Sequence, residues 1–361
     1  MPGLIDCHVH FGGITNEDPN DFVLEDDKRK AVLSVSQAKC MLNHGYTTVR
    51  DISINGFALK YAIDNGFLIG PRIIPCGPGL SRTGGHGDAQ LLPIELVEKS
   101  HPWAILADTH DEIIKSVRKL IRMDSDFIKV WISGGGFWEK DSDGDAHYRQ
   151  EDVDLIVEEA KLIGLLVAAY AENYETTLMA AKAGVKSIEH GEELSDDCVA
   201  LMKEKNIYLV PTLKLILDWD EAYSTTPSRQ NNYYGMEPDD IAKLERKTAL
   251  ESYGTAVSAG INICLGSDSF SEYITPYGVV STEELYYLSD NGLGPQKAIV
   301  AATKNGAELL GISDISYTLS AGKKADIIVV DGDSLKDIRT INKENMKMII
   351  KNGASSECVE I

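Results

Sequence analysis

Short apolar runs alternate along the chain with longer segments of helical periodicity. The apolar runs are rich in β-branched and aromatic residues and predict strands at 4–11, 47–52, 72–77, 127–133, 165–171, 187–191, 208–213 and 262–269. Between them, helices are predicted at residues 28–44, 111–123, 150–164, 173–183, 195–205 and 237–260. Several of these helices are followed by a glycine, which commonly ends a helix, namely Gly45, Gly164, Gly184 and Gly260. Because helical crossovers force parallel pairing, the alternation predicts an α/β fold, a (β/α)8 TIM barrel.

The pattern changes near the C-terminus. A last pair of helices is predicted at 280–291 and 295–310, and "SAGKKADIIVVDGD" and "MKMIIKNG" then predict two strands with turn signals. Two strands are too few for a domain and are typical of half of a small β-sandwich. The predicted organisation is therefore a barrel over residues 1–311 and part of a sandwich over residues 312–361. The long irregular stretch at about 214–236 is predicted to be a loop over the site.

Composition narrows the class of protein. The chain has 361 residues, 43% of them hydrophobic, and a formal net charge of −21. Such acidity disfavours nucleic acid and anionic membranes as partners, and no apolar run approaches the ~20 residues of a membrane span. The six cysteines are scattered without a CxxC pair, which is typical of buried thiols in a reducing compartment. Since "MPGLIDCHVH" lacks the features of a signal peptide, we expect a cytoplasmic protein.

Polar side chains recur at the predicted carboxyl ends of the strands, where such a barrel has its active site. In the first strand Asp6, His8 and His10 alternate and therefore share one face. Later strand ends hold Lys129, Tyr170, His190 and Asp268. Each has a purely structural alternative, since Lys129 could extend its amine to solvent and Asp268 could cap the next element. Together they favour a metal site, because imidazoles and carboxylates are the usual ligands of a hydrolytic zinc-type ion.

These residues and their surroundings resemble the amidohydrolase superfamily from residue 2 to the end of the chain. The motifs are "PGLIDCHVH", "AGVKSIEHG", "LGSDS" and "AGKKADIIVVDGD", and "TGGHGD" (83–88) is similar to a substrate loop of the prolidase and imidazolonepropionase-like branch. The resemblance implies a metal-dependent hydrolase of C–N bonds in which Lys129 is carboxylated and bridges two metals. It also implies one or two divalent ions, and zinc is expected. The residues that match the family's ligand positions are His8, His10, Lys129, His190 and Asp268.

The chemistry of these groups agrees with that implication. A neutral lysine amine can add carbon dioxide, and desolvation inside a barrel favours the neutral amine. Bound cations lower the pKa of a water and polarise a substrate carbonyl. Asp268 is the candidate catalytic residue, accepting the proton of the water and passing it to the leaving amine. His86, between glycines in the 83–88 loop, is either a turn histidine or a contact for a substrate carbonyl or carboxylate, and the resemblance favours the contact.

One strand end departs from the family pattern. The fifth strand ends "VAAYAEN", so Tyr170 stands where the family has a histidine. Tyr170 could bind a metal as phenolate, the second metal could be lost or weakly held, or activity could be reduced. Because the reference pKa of a phenol is ~10, phenolate ligation is costly. An altered or single-metal site on His8, His10 and Asp268 is therefore the favoured hypothesis.

A second departure is the start of the chain. The family's strands that precede the HxH strand, the other half of the β-sandwich, are missing. Strands near 326–331 and 346–351 would then have exposed edges. Either the natural chain begins further upstream, or a neighbouring copy covers the edge in a homo-oligomer.

Three hypotheses about function follow. The main one is hydrolysis of a small amide, such as an Xaa-Pro-like dipeptide, an N-acyl amino acid or a lactam. A single-metal deaminase is the second, although the sequence offers no identifiable ring-binding acid or histidine for it. A barrel that binds its ligand without turnover is the third, and Tyr170 alone suggests it. Metal analysis combined with an amide substrate screen would separate the three.

Overall fold

The computed structural model describes residues 1–15, 24–90, 92–100, 103–136, 138, 141–142, 144–223 and 238–356. The chain divides into two units. The first unit comprises Met1–Pro75 and Ile263–Ile361, and the second comprises Cys76–Asn262. Each unit has a parallel sheet with helices, which agrees with the predicted α/β class.

The strands and helices alternate along most of the chain. The strands are β1 (Leu4–Ile14), β2 (Tyr46–Asp51), β3 (Arg72–Pro75), β4 (Gly79–Ser81), β5 (Ala104–Leu106), β6 (Ile128–Trp131), β7 (Val167–Ala171), β8 (Ser187–His190), β9 (Tyr208–Val210), β10 (Ser269–Ser271), β11 (Ile327–Val330), β12 (Met346–Lys351) and β13 (Ala354–Ser356). The helices are α1 (Asp27–Asn43), α2 (Asn55–Asp64), α3 (Ile94–Ser100), α4 (His110–Arg122), α5 (Gln150–Lys161), α6 (Tyr174–Ala183), α7 (Asp196–Lys205), α8 (Leu213–Tyr223), α9 (Pro238–Ala259), α10 (Val279–Leu288), α11 (Gly294–Val300) and α12 (Gly306–Leu309).

The parallel sheet of the first unit has the order β10–β1–β2–β3. Every residue of β1 is buried, as expected of a strand in a sheet that is covered on both faces. Val9 of β1 lies opposite Ser269 of β10 and Asp51 of β2, so the carboxyl halves of these strands are adjacent. This pairing places the end of β1 beside the segment that leads into β10.

The parallel sheet of the second unit has the order β5–β4–β6–β7–β8–β9. Trp131 of β6 pairs with Tyr170 of β7, and Ala171 of β7 pairs with His190 of β8. The carboxyl ends of β6, β7 and β8 are therefore aligned. Helix α6 between β7 and β8 begins at the N-cap Asn173 and ends at Gly184, whose φ of 79° is the left-handed conformation that favours glycine.

A small antiparallel sheet, β11–β12–β13, lies within the segment predicted as part of a sandwich. The two edges predicted to be exposed are paired within the chain. β12 lies between β11 and β13, and Pro2 forms an antiparallel bridge with Ile327 of β11. The amino group of Met1 also donates to the carbonyl of Ile328 at 2.9 Å. The proposed domain boundary at residue 311 stays a prediction.

Three local predictions differ from the structure. The eighth strand was expected at 262–269, but the strand of the structure begins only at Ser269, directly after Asp268, whose φ of 52° is not extended. β4 and β5, of three residues each, were not predicted. The predicted loop at 214–236 starts as helix α8, in which Lys214 and Asp218 pair at 2.6 Å, and residues 224–237 lie outside the described ranges.

Within the described part of the chain, no helix combines the length and apolar character needed to cross a bilayer. The cytoplasmic location, the exclusion of nucleic acid and the homo-oligomer stay predictions.

Candidate metal centre

Two histidines and an aspartate lie together in the first unit. His8 and His10 project from β1, and Asp268 directly precedes β10. Nε2 of His10 lies 3.1 Å and Nε2 of His8 lies 3.5 Å from the same Oδ1 atom of Asp268. One possible ligand atom from each residue lies within 4.8 Å of the others, and all three residues are buried. This arrangement brings two nitrogens and a carboxylate oxygen to one point.

The backbone at Asp268 explains how its side chain reaches the histidines. Its φ of 52° is a left-handed conformation that a residue with a side chain rarely adopts, and it costs about 1–3 kcal/mol. The amide of Asp268 donates to the carbonyl of His8 at 2.8 Å, which holds this turn beside β1. Backbone strain of this kind concentrates at functional sites.

Asp6, which alternates with His8 and His10 along β1, accepts hydrogen bonds from the backbone. Its Oδ1 accepts the amide N–H groups of His8 at 3.0 Å and Ser267 at 3.1 Å. Complete burial raises the pKa of Asp6 to about 6, although these hydrogen bonds oppose the shift. Asp6 therefore ties β1 to the segment that carries Asp268.

The tautomer of His10 tests whether this group of residues fits a metal ion. Nδ1 of His10 lies 2.9 Å from the carbonyl oxygen of Ile52, which can only accept, so Nδ1 carries a proton. In the neutral ring the lone pair is then on Nε2, which faces Asp268. A lone pair and a carboxylate 3.1 Å apart favour a positive charge between them. The donor set therefore fits a divalent cation as well as a shared proton.

The polar strand ends of the second unit lie on adjacent strands. Lys129 on β6 is fully buried, and its Nζ lies 5.5 Å from the ring centroids of both Trp131 and Tyr170. His190 ends β8, and its Nδ1 lies 2.7 Å from Oγ1 of Thr212. The complete burial of Lys129 agrees with the desolvation that carboxylation requires, whereas the carboxylation itself stays a prediction.

Tyr170 on β7 lies between two imidazoles. Its ring centroid is 4.4 Å from that of His190 and 4.6 Å from that of His86. Burial, followed by the nearby acid Glu172, raises the pKa of Tyr170 well above its ordinary value. A side chain at Gly135 would overlap the Tyr170 hydroxyl, so the loop after β6 closes directly on this phenol. In the described chain Tyr170 is therefore a neutral phenol.

His86, the predicted substrate contact, is joined to a carboxylate that the sequence did not reveal. Its Nδ1 lies 2.6 Å from Oδ2 of Asp141, a fully buried residue after β6. The sequence also carried no sign that His147 and Thr212 contact candidate site residues. Asp141, His147 and Thr212 all lie outside the spaced motifs, although Thr212 is at a predicted strand end.

The structure thus brings His8, His10 and Asp268 together in the first unit. It places Lys129, Tyr170 and His190 at neighbouring strand ends in the second, with His86 against Tyr170. Their roles as ligands, catalytic group or substrate contact stay predictions.

Comparison with known proteins identifies the family. The amidohydrolase family profile matches residues 1–355. The ochratoxinase of Aspergillus niger is 32% identical, with 95% of this chain and 72% of that protein covered. The crystal structure of that ochratoxinase is 28% identical with a TM-score of 0.87, over 98% of this chain and 82% of that chain. The crystal structure of an Xaa-Pro dipeptidase with bound methionine is 29% identical with a TM-score of 0.86, over 99% of this chain and 86% of that chain.

These likenesses extend over nearly the whole chain, so they apply to the fold as well as to the motifs. The predicted fold class, a TIM barrel with a small sheet domain, is confirmed. The chain belongs to the amidohydrolase family and is a hydrolase that acts on carbon–nitrogen bonds.

Proposed function

We propose that this protein hydrolyses the amide bond of a small substrate that carries a carboxylate, such as an Xaa-Pro-like dipeptide or an N-acyl amino acid. A lactam is a further substrate class to test. The observation that carries the proposal is the convergence of His8, His10 and Asp268 on one point, with the tautomer of His10 set by Ile52. This set of donors suits a divalent ion, and zinc is the metal we propose.

Two similar solved structures support the choice of substrate. One is the Xaa-Pro dipeptidase with bound methionine. The other is a prolidase complexed with N-methylphosphonate-L-proline, 27% identical with a TM-score of 0.86. Methionine and N-methylphosphonate-L-proline both carry an amino-acid carboxylate, so dipeptides are the first compounds to assay.

The residues of the first unit have distinct proposed roles. His8, His10 and Asp268 hold a divalent ion, which when bound makes water more acidic and polarises a carbonyl. The Asp268 carboxylate takes the proton of the attacking water and delivers it to the leaving amine nitrogen. Its left-handed backbone holds this carboxylate against the two imidazoles. The buried Asp6 keeps the backbones of His8 and Ser267 in place during the reaction.

In the second unit we propose His190 and Lys129 as further ligands. His190 meets Thr212 through Nδ1, so a metal would be bound by Nε2. Carboxylation of Lys129 would replace its buried amine by an anionic oxygen ligand. To test this step, a ¹³C spectrum of the protein is recorded in ¹³C-bicarbonate. We expect a carbamate signal that is lost in Lys129→Met and retained in Lys336→Met, a control at an exposed site. The same spectrum in both variants would contradict it.

A second candidate function rests on Tyr170. Because a buried neutral phenol occupies the space between His86 and His190, the protein could hold one ion tightly and turn its substrate over slowly. Low turnover with near-unit metal content would favour this alternative.

The test is metal analysis combined with a substrate panel. The purified protein is analysed for metals by mass spectrometry and assayed by liquid chromatography against Xaa-Pro dipeptides, N-acyl amino acids and lactams. We expect bound zinc-type metal, hydrolysis of at least one class, and loss of activity in a chelator that is reversed by added metal. Full activity after chelation, or no hydrolysis of any amide by the metal-loaded protein, would contradict the proposal.

A further inference from the structure

Strand β1 becomes irregular directly after its histidines begin. Val9 of β1 pairs with Ser269 of β10, and the next pair between these strands joins Ile14 to Ser271. Between the two pairs β1 advances by five residues and β10 by two, so β1 contains three extra residues. Such a bulge redirects side chains, and its backbone groups lose their partners in the neighbouring strand. The bulge starts at His10, a candidate metal ligand.

Side chains take the place of strand partners in this bulge, which comprises residues 10–13. They come from α1, β2, α2 and the segment before α10, and all four are buried. Because a buried backbone group without a partner is costly, these hydrogen bonds stabilise the irregular backbone. The bonds run from Tyr277 to the carbonyl of His10 at 2.5 Å, from Asn55 to the carbonyl of Phe11 at 2.9 Å, from the amide of Phe11 to Asp51 at 2.9 Å, and from the amide of Gly12 to Gln37 at 2.7 Å.

Tyr277 contacts the bulge at several points. Its hydroxyl donates to the carbonyl of His10, since a carbonyl oxygen only accepts. Its ring stacks on that of Phe11, with 5.7 Å between centroids and 14° between planes. A Cβ added to Gly13 would lie 2.7 Å from the hydroxyl oxygen, so the last residue of the bulge also lies against this phenol. One side chain therefore contacts both ends of the bulge.

His10 is held by two hydrogen bonds of different kinds. Its Nδ1 donates to the carbonyl of Ile52 at 2.9 Å, and its own carbonyl accepts the hydroxyl of Tyr277. The first bond sets the rotation of the imidazole, and the second sets the peptide plane that follows its Cα. With both bonds in place, Nε2 lies 3.1 Å from Oδ1 of Asp268. Loss of the hydroxyl leaves the carbonyl of His10 without this partner and frees the peptide to rotate.

We propose that Tyr277 is a positioning residue of the metal centre, whose hydroxyl holds the peptide after His10 so that Nε2 stays directed at the ion. The inference rests on the proposed function, because it requires a divalent ion at His8, His10 and Asp268. Tyr277 does not bind the ion itself and acts through the backbone of a ligand. Groups that orient a metal ligand typically contribute about ten- to a hundredfold to metal affinity.

The test compares Tyr277→Phe with Tyr286→Phe. The hydroxyl of Tyr286 donates to the carbonyl of Ile341 at 2.7 Å, so the control loses the same kind of hydrogen bond in the same unit. The dissociation constant for zinc is measured on the metal-free proteins by competition with a chromophoric chelator. We expect binding about ten- to a hundredfold weaker in Tyr277→Phe and unchanged in Tyr286→Phe. Unchanged affinity in Tyr277→Phe, or an equal loss in both variants, would overturn the inference.

Cobalt substitution adds a readout of ligand geometry. The visible absorption of bound Co²⁺ depends on the number and arrangement of its ligands, so a displaced imidazole of His10 changes the bands. At saturating cobalt we expect the bands of Tyr277→Phe to shift or weaken, and those of Tyr286→Phe to match the wild type. Identical spectra of Tyr277→Phe and the wild type would contradict a displacement of His10 and overturn the positioning role.

A second pair of variants decides the case if Tyr277→Phe does not fold. Asn55→Ala removes the donor to the carbonyl of Phe11, and its control Asn291→Ala removes a donor to the carbonyl of Tyr287 at 2.8 Å. We expect weaker zinc binding in Asn55→Ala alone, since only this change loosens the bulge. Equal affinities of the two alanine variants would then overturn the inference. A wild type that binds no zinc contradicts the proposed function itself, whereas zinc binding that is insensitive to these changes contradicts only the positioning role.

Discussion

The hydroxyl oxygen of Thr212 lies 2.7 Å from Nδ1 of His190, and both residues have left-handed backbone conformations, with φ of 47° and 67°. A β-branched residue is a rare occupant of that region. Each such conformation costs about 1–3 kcal/mol, so the surrounding structure must stabilise it. Thr212 is completely buried, and its hydroxyl sets the orientation of the imidazole at the end of β8.

Two substitutions of Thr212 distinguish the contribution of its hydroxyl group from that of its side-chain volume. Thr212→Val keeps the volume but removes the hydrogen bond of Nδ1, so we expect a loss of about 1–3 kcal/mol in the free energy of unfolding. Thr212→Ser keeps the hydroxyl and should stay near the wild type. Chemical denaturation of the metal-free protein measures both. Equal stability of the valine variant and the wild type would show that the hydrogen bond contributes nothing.

Removal of an imidazole from the first unit should remove metal. His10→Ala deletes one of the nitrogen donors near Asp268, and we expect bound metal to fall by about tenfold or more at limiting metal concentration. His110→Ala is the matched control because His110 is on the surface, where its side chain is 58% exposed. Metal content after gel filtration measures the effect. Full retention in His10→Ala would place the metal elsewhere.

Restoring the family's histidine at the end of β7 should strengthen metal binding. An imidazole binds as a neutral donor near pH 7, whereas the buried phenol of Tyr170 must first lose a proton. We expect Tyr170→His to raise the metal stoichiometry from about one towards two and to increase amide turnover. Tyr174→His, an exposed change just beyond the same strand, should alter neither. If the tyrosine form already holds two ions and loses activity as histidine, Tyr170 is itself a ligand or catalytic group.

A buried ion-pair network in the first unit should make stability depend on acidic pH. Asp326 lies 2.9 Å from Nη1 of Arg72 and 3.3 Å from Nζ of Lys351. Burial opposes ionisation of Asp326, but Lys351, the amide of Asn352 and Arg72 together lower its pKa. A carboxyl whose pKa is lower in the folded state stabilises the fold above its unfolded pKa of ~3.9 and loses that contribution as pH falls through the folded pKa.

Asp326→Asn should therefore cost about 3 kcal/mol at pH 7, because Lys351 and Arg72 lose the buried carboxylate that pairs with both. Its stability should also change less than that of the wild type below about pH 4. Thermal unfolding between pH 2 and 7 measures both effects, with the exposed Asp331→Asn as control. Parallel pH curves for Asp326→Asn and the wild type would contradict this account.

Local patterns in the sequence were enough to predict much of the fold. The alternation of Asp6, His8 and His10 places three side chains on one face of a strand, because successive residues of a strand point to opposite faces. The helical periodicities predicted α1, α4, α6, α7 and α9 to within about two residues at each end, since caps and apolar stripes are local properties. The motifs were sufficient to indicate the amidohydrolase family, which the comparisons confirm.

Only the tertiary structure showed the contacts between residues that are distant along the chain. Asp141 meets His86 across 55 positions, and Thr212 meets His190 across 22. The pairing of Pro2 with Ile327 closes an edge that the sequence left open. Such contacts depend on strand order, register and loop conformation, and no local periodicity records them. The sequence by itself therefore determined which strand ends carry polar groups, whereas tertiary packing decided which neighbours orient each of them.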